Sequence, residues 1–252
     1  MESNEHFEKI AKIYKKVRPS YPPITESLSH VLNLKENVHV IDIGCGPATD
    51  LFELKEKFGI IPLGIECSRE MAEEGINLIG KEAIIYSDAI SYLKSKNNIA
   101  DAIYLKFSAH HFPDLIQLFS VIRSALKPGG RLAIVTMLPD DVLFFDLINY
   151  FPSLKKNMHN EASRQKGILP ILNDLHFEEI TCTPCEIYRL RYEKKLIELI
   201  TNRFISFLNK VPENELSQGI KKLSHYIDSL TSPLEIGVNG TTIHAKKEYY
   251  IQ

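Results

Sequence analysis

The sequence predicts an α/β protein built on a seven-stranded, mostly parallel sheet with helices on both faces. Three observations lead there. From residue 38 to residue 137, short β-branched apolar runs alternate with amphipathic stretches. The first run, Val38-His39-Val40-Ile41-Asp42-Ile43, breaks into Gly44-Cys45-Gly46-Pro47, as a buried strand does when it feeds a tight turn and a helix. Later runs end near Glu66, Asp88 and the Lys106–Asp114 segment, so polar chemistry collects at one edge of the sheet, where parallel α/β folds bind ligands.

At 252 residues, 44% of them hydrophobic, the chain holds one full α/β domain plus an insertion. A formal net charge of −2 argues against a nucleic-acid surface, which is normally basic. No apolar run reaches the ~18–20 residues that cross a bilayer. The start, Met1-Glu2-Ser3-Asn4-Glu5, is acidic and polar, unlike a secretory signal. Four irregularly spaced cysteines fit a reducing interior. These features predict a cytoplasmic protein without nucleic-acid or membrane partners; a monomer or weak homodimer is expected. Cys182-Thr183-Pro184-Cys185 lies in a strand-like run and lacks the second pair that a zinc site wants. It reads as two small strand residues, and no metal is expected.

Phe7, Ile10, Ala11 and Tyr14 recur at helical spacing, which predicts a helix around residues 5–16. Arg18-Pro19-Ser20-Tyr21-Pro22-Pro23 then forms a rigid extended link, and Leu28, Val31 and Leu32 mark a second short helix. Residues 1–35 are thus an N-terminal helical cap, and 36–185 the core. Gly44 and Gly46 permit positive φ and a close approach of backbone to ligand. A side chain at Gly44 is expected to fill the ligand's approach path. Leu51, Phe52 and Leu54 predict the next helix, whose free N–H groups face that ligand. Asp42, two residues before Gly44, brings a carboxylate to the same place. It would repel a pyrophosphate but suits an ammonium or sulfonium group. With Thr49 at the third position, this disfavours the dinucleotide fingerprint G-x-G-x-x-G/A.

Ile61-Pro62-Leu63-Gly64-Ile65-Glu66 is a second strand ending in an acid. Glu66 lies 22 residues beyond Gly44, about where doubly wound folds place the acid that accepts from ribose hydroxyls. Ser68 is the expected N-cap of a helix that turns Met71 inward. Ala83–Tyr86 is a third strand, with Asp88 a candidate N-cap after it. Ala100–Leu105 is the fourth, and the residues after it point at the reacting centre. His110 or His111 could serve as a general base near neutrality. Packing of His110 and a backbone hydrogen bond from His111 is the other reading. A helix from Asp114 to Leu126 stops at Lys127-Pro128-Gly129-Gly130, and Arg131–Met137 is the fifth strand.

Beyond Pro139, Val142–Tyr150 and Leu169–Leu175 read as helical and Phe177–Arg191 as a sixth strand. Ile187, Leu190, Leu196, Leu199, Ile200, Phe204 and Leu208 give one helical stripe, and Leu216, Ile220, Leu223 and Ile227 another. Val238-Asn239-Gly240 reads as a turn before a last strand, Thr241–Ile251. Residues 186–236 are therefore a helical insertion between strands six and seven, and 237–252 complete the core sheet. The insertion is expected to act as a substrate lid, with Tyr188, Arg191 or Arg203 as polar anchors.

Asp42-Ile43-Gly44-Cys45-Gly46 resembles motif I of the class I S-adenosylmethionine-dependent methyltransferases, whose fold is Rossmann-like. Glu66-Cys67-Ser68-Arg69-Glu70-Met71 is similar to their acid-x-Ser-x-x-Met segment, and Leu126-Lys127-Pro128-Gly129-Gly130-Arg131-Leu132 to their turn before strand five. His110-His111-Phe112-Pro113-Asp114 resembles motif IV of the small-molecule members, the quinone-biosynthesis and trans-aconitate types. The resemblance is strong over 38–137 and implies S-adenosylmethionine as cofactor. It implies that Asp42, Gly44, Cys45, Gly46, Glu66, Cys67, Met71, Asp88, Ala89 and Phe107 surround that cofactor, with Asp88 accepting from the adenine amine and the next backbone N–H donating to the ring. The Tyr14…Arg18-Pro19-x-Tyr21-Pro22 pattern is similar to the family's N-terminal cap, which implies that Tyr14 or Arg18 reaches the cofactor carboxylate. His111 is the candidate catalytic base. The sequence departs from the pattern at Ala48 and Asp50: the usual third glycine is an alanine, which tolerates most right-handed backbone geometry, so cofactor binding is expected to be kept. The implied function is methyl transfer to a small-molecule acceptor; the alternatives are a protein methyltransferase and a catalytically silent cofactor-binding protein.

Overall fold

The computed structural model of the chain describes residues 22–143, 145–203 and 205–249. The expected first helix and the residues Tyr14, Arg18 and Tyr21 lie outside the described residues. The first described helix, α1 (Pro22–Val31), is followed by the strand–helix series β1 (His39–Ile43), α2 (Thr49–Phe58), β2 (Ile61–Glu66), α3 (Arg69–Ile79), β3 (Ile84–Tyr86), α4 (Ala89–Leu93), β4 (Ala100–Lys106), α5 (Leu115–Ala125) and β5 (Leu126–Thr136). Three of these helices start where local chemistry supplies a side-chain acceptor. Ser68 Oγ accepts from the Met71 amide, Asp88 Oδ1 from Ser91 and Asp114 Oδ1 from Gln117, each meeting an N–H that the first turn leaves unpaired.

The described residues form one seven-stranded sheet in the order β3-β2-β1-β4-β5-β7-β6, where β6 is Phe177–Tyr192 and β7 is Leu234–Lys247. The first five strands pair in parallel; β7 runs antiparallel to both β5 and β6. Because β1 leads outward to β2 while β4 lies on its other side, the chain reverses direction across the sheet between β1 and β4. A crevice opens there at the carboxyl ends of the strands. Both faces of the sheet are buried, as parallel strands require. Val40, Ala102, Tyr104 and Val135 join the core on one face. Ile41, Ile43, Ile103, Leu105 and Ile134 join the core on the other.

The second half departs from expectation in several places. The helical reading of Val142–Tyr150 is broken into α6 (Pro139–Leu143) and a 3-10 turn, Asp146–Asn149. Next comes a helix that the periodicity did not announce, α7 (Pro152–Lys166), whose Leu154, Met158, Ala162 and Gln165 are buried. The Leu169–Leu175 reading corresponds to α8 (Ile168–Asp174).

Strand β6 runs to Tyr192, which pairs with Leu234, so Ile187 and Leu190 belong to a strand rather than to the first helical stripe. Val238, Asn239 and Gly240 are not a turn; they sit inside β7 opposite Tyr188, Glu186 and Cys185. The segment between the two strands is therefore 193–233, narrower than 186–236. It contains α9 (Lys194–Thr201), a 3-10 turn (Ser206–Lys210) and α10 (Glu213–Ser229). Leu196, Ile200, Leu208, Leu216, Leu223 and Ile227 bury this insertion against Phe151, Leu154 and Met158. Cys182 and Cys185 lie on β6 paired with Ile243 and Gly240, as two strand residues. Among the described residues no helix is long and apolar enough to cross a membrane, and no group of three or more His, Cys, Asp or Glu side chains is placed to hold a metal ion.

Candidate active site

The crevice is walled by the turn after β1 and the loop after β4. Gly44 and Gly46 both have positive φ, 73° and 55°, so the chain leaves β1 through a conformation that glycine adopts without strain. The two glycines do different work. A Cβ on Gly46 would meet no atom within 4 Å, so open space adjoins its backbone. A Cβ on Gly44 would stand 2.5 Å from Ser108 Cβ. A side chain at Gly44 therefore strikes the β4 loop rather than filling a ligand path, contrary to the expectation from sequence. Ser108 is buried and donates its hydroxyl to the Ile43 carbonyl, joining the ends of the two central strands.

Ala48, the helix N-cap at the start of α2, has φ 57° and ψ 28°. The right-handed geometry expected of it is not found: alanine occupies a left-handed position, at a cost of about 1 kcal/mol. It is fully buried, and a Cβ on Gly75 of α3 would lie 3.4 Å from the Ala48 methyl. The third glycine has thus been exchanged for a methyl group packed between two helices.

Glu66, at the end of β2 and buried, is fixed from both sides. Its Oε2 accepts from the Gly46 amide and its Oε1 from the Ser68 amide, each at 2.8 Å. Burial pushes its carboxyl above the ordinary range, and those backbone donors pull it back. Asp42 is 3% exposed, and among the described residues its Oδ1 has no hydrogen-bond partner. Burial pushes its carboxyl up to about 8, with the Tyr104 hydroxyl and Lys106 opposing and Asp50 and Glu66 reinforcing the rise. Asp50, in the first turn of α2, pairs with Lys106 at the end of β4. Neither partner of this pair stands out for a role in the sequence; a lone lysine beyond a strand offers no signal until α2 and β4 are brought together.

The other expected contributors lie on the same rim. Cys45 is buried and Cys67 exposed; burial first, then nearby acids, raises both thiols, Cys67 to about 11, so neither is a thiolate at neutral pH. Met71 and Ala89 are buried, while Asp88 is exposed and spends Oδ1 on its helix cap. Phe107 turns the β4 loop with φ 54°. His111 is exposed in the 3-10 turn Ala109–His111, and its ring stands 3.9 Å from that of His110, centre to centre. His110 in turn stacks on Phe207 of the insertion at 6.0 Å.

Arg164 of α7, unforeseen in sequence, donates one guanidinium nitrogen to the His110 carbonyl at 2.9 Å and the other to the Phe112 carbonyl. It clamps the loop from outside the sheet. Two expected acceptor anchors are engaged elsewhere. Arg203 donates to the Leu208 carbonyl and to Glu213, and Arg191 pairs with Glu193 at 3.3 Å.

Open backbone at Gly46, a buried carboxylate oxygen without a partner and an excess of acids over the single Lys106 suit a cationic ligand that approaches backbone closely. Comparison with known proteins agrees. A methyltransferase-domain family model matches residues 14–180, and the chain belongs to that family. It is a class I, S-adenosylmethionine-dependent methyltransferase-family protein by sequence and fold. The demethylmenaquinone methyltransferase of Listeria welshimeri is 27% identical over 148 residues, covering 51% of this chain and 62% of that protein. A provisionally assigned methyltransferase of an antibiotic biosynthesis pathway in Anabaena variabilis has the same fold, with a TM-score of 0.70 at 17% identity over 91% of this chain and 98% of its own. Phosphoethanolamine N-methyltransferase 2 of Haemonchus contortus, solved with S-adenosyl-L-methionine, superposes with a TM-score of 0.59 at 20% identity, over 96% of this chain and 57% of its own. The chain spans only 41–62% of the length of the first curated relatives that it matches.

Proposed function

We propose that this chain transfers the methyl group of S-adenosylmethionine to a small-molecule acceptor. The observation that carries the reading is the crevice between the ends of β1 and β4, where the open Gly46 backbone and the unpartnered Asp42 Oδ1 adjoin a turn of motif I sequence. When bound, S-adenosylmethionine supplies a methyl already activated on a sulfonium, so the protein's task is alignment and exclusion of water. Asp42 meets the cationic end of the ligand. Glu66 holds Gly46 and Ser68 while its remaining lone pairs face the ribose hydroxyls. Gly44, Cys45, Cys67, Met71, Asp88, Ala89 and Phe107 complete the walls, and Tyr14 or Arg18 closes over the methionine carboxylate. His111, exposed beside the loop, takes a proton from acceptors that carry one on the attacking atom. The insertion supplies the acceptor side, since Phe207 already touches the His110 ring. Relatives named for a quinone and for phosphoethanolamine support a small acceptor.

Calorimetric titration with S-adenosylmethionine and its demethylated product is the first test, with micromolar binding expected, about −8 kcal/mol. A screen of small amines, phenols and quinols, read by demethylated cofactor, then finds the acceptor. Absence of heat at high protein concentration sinks the reading. Labelled methyl appearing in lysate macromolecules, with no small molecule labelled, points to a protein methyltransferase instead.

A further inference from the structure

A second cluster of chemistry lies away from the crevice walls, where the tip of β6, helix α10 and the turn after α6 meet. Tyr192, the last residue of β6, donates its hydroxyl to Asp146 Oδ2. Asn149 donates to Asp146 Oδ1 at 3.0 Å. Tyr226 of α10 meets the Tyr192 ring at 6.0 Å with the planes 87° apart, and the Tyr150 ring at 6.4 Å and 42°. A half-buried carboxylate is thus bracketed by three tyrosines from three separate elements.

Ring packing explains Tyr192, which is 1% exposed, but it does not explain the acid. Among the described residues, the two hydrogen bonds to Asp146 both come from neutral donors, and no Lys or Arg pairs with it. Burial, together with the Asp146 charge, holds the Tyr150 and Tyr192 phenols above their ordinary range, so both rings stay neutral and electron-rich. Tyr226 is 37% exposed, which opens the cluster to solvent on that side. Register places it at the carboxyl end of the parallel strands: Thr136 of β5 pairs with Thr241, and β7 continues from there back to Leu234, the partner of Tyr192.

We propose that Asp146, Tyr150 and Tyr226 form a binding site for a methylated ammonium group, with the buried Tyr192 holding the acid in place. Aromatic faces attract a cation through their quadrupoles, and a carboxylate adds a full opposite charge. Methyl groups spread the ammonium charge and lower the cost of leaving water, so an alkylated amine fits better than a lysine-like primary ammonium. The assignment of this group to the methyl acceptor rests on the methyl-transfer reading above; the binding of the cation does not.

The test uses the full chain and tetramethylammonium chloride as the probe. The sequence has 11 tyrosines and no tryptophan, so intrinsic tyrosine emission reports on the site. A saturable change with a millimolar dissociation constant is expected, absent in sodium chloride of equal ionic strength. Choline should bind at least tenfold tighter than its uncharged isostere 3,3-dimethylbutan-1-ol. Asp146→Asn and Tyr226→Leu should each weaken tetramethylammonium binding tenfold or more. Tyr226 is partly exposed, so its replacement decides the matter if Asp146→Asn fails to fold. No saturation by about 50 mM, equal binding of the neutral isostere, or wild-type affinity in folded variants overturns the site. S-adenosylmethionine titrated into the same samples separates the two readings. Cation binding without cofactor binding removes methyl transfer and leaves this site; the reverse removes this site alone.

Discussion

The Gly46 amide donates to Glu66 Oε2 at 2.8 Å, so the turn after β1 and the end of β2 are one hydrogen-bonded unit. The other carboxylate oxygen accepts from Ser68 at the start of α3. One side chain therefore sets the spacing between the turn after β1, which walls the crevice, and the start of α3. Glutamine retains only one acceptor oxygen and turns an amide N–H toward a backbone N–H. Glu66→Gln should lower stability by about 1–3 kcal/mol, a fall in Tm of roughly 2–10 °C. Affinity for S-adenosylmethionine should fall at least tenfold, read by calorimetry. Unchanged affinity in a folded variant refutes this role.

The two glycines of the turn should behave differently when substituted. Gly46→Val enters open space, so it should abolish cofactor binding while costing only the strain of a positive φ, about 1–2 kcal/mol. Gly44→Ala meets Ser108 at 2.5 Å and should destabilise the fold by more than Gly46→Val does, through displacement of the β4 loop. Thermal melts paired with cofactor titration check both. Equal melting of the two variants would contradict the geometry.

Stability should fall with rising pH through the range that Asp42 controls. Its carboxyl has an ordinary value of 3.8 and is pushed to about 8 in the fold, chiefly by burial. Between those values the folded state holds a proton that the unfolded state has lost, so the contribution is complete below the unfolded value and is lost as pH rises toward 8. Asp42→Asn should flatten this slope in melts of the free protein between about pH 5 and pH 8. A cation beside Asp42 favours its charged form, so cofactor binding should release protons, seen as a buffer-dependent heat. Parallel slopes in wild type and variant rule this out.

Arg164 holds the loop after β4 by two backbone carbonyls. Arg164→Met keeps the aliphatic stem and removes both donors, at a cost of about 1.5–3 kcal/mol. Turnover with any acceptor found should drop more than tenfold while cofactor affinity stays within about threefold. Faster amide exchange over 107–112 should accompany it. A variant with normal exchange and normal turnover leaves Arg164 without this function.

What sequence reveals here divides along range. Helix starts at Ser68, Asp88 and Asp114 are written in three or four consecutive residues; Ser68 and Asp88 cap as read, and Asp114 caps the helix expected to begin at it. The parallel core follows from repeated local patterns. Helix α7 was hidden because its buried stripe of Leu154, Met158, Ala162 and Gln165 is narrow and ends in an amide. Ile187 and Leu190 are three apart, so they fit a helical stripe as well as a strand; in the fold Leu190 pairs with Ile236 and Ile187 sits at the register shift of β6. The contrast between Gly44 and Gly46 depends on Ser108, far along the chain, and no local pattern carries it. The positive φ of Ala48 is invisible for the same reason, since alanine does not announce it.

Because β6 and β7 remain paired out to Tyr192 and Leu234, the inserted helices stand at the end of a two-stranded ribbon rather than on loose hinges. Such a ribbon is stiff across its hydrogen bonds and compliant normal to its plane. The register shift between Glu186 and Tyr188 gives it an elbow just outside the body of the sheet. The paired backbone, bent at that elbow, therefore fixes the direction in which the inserted helices leave the sheet, and their apolar stripes seat them against Phe151, Leu154 and Met158.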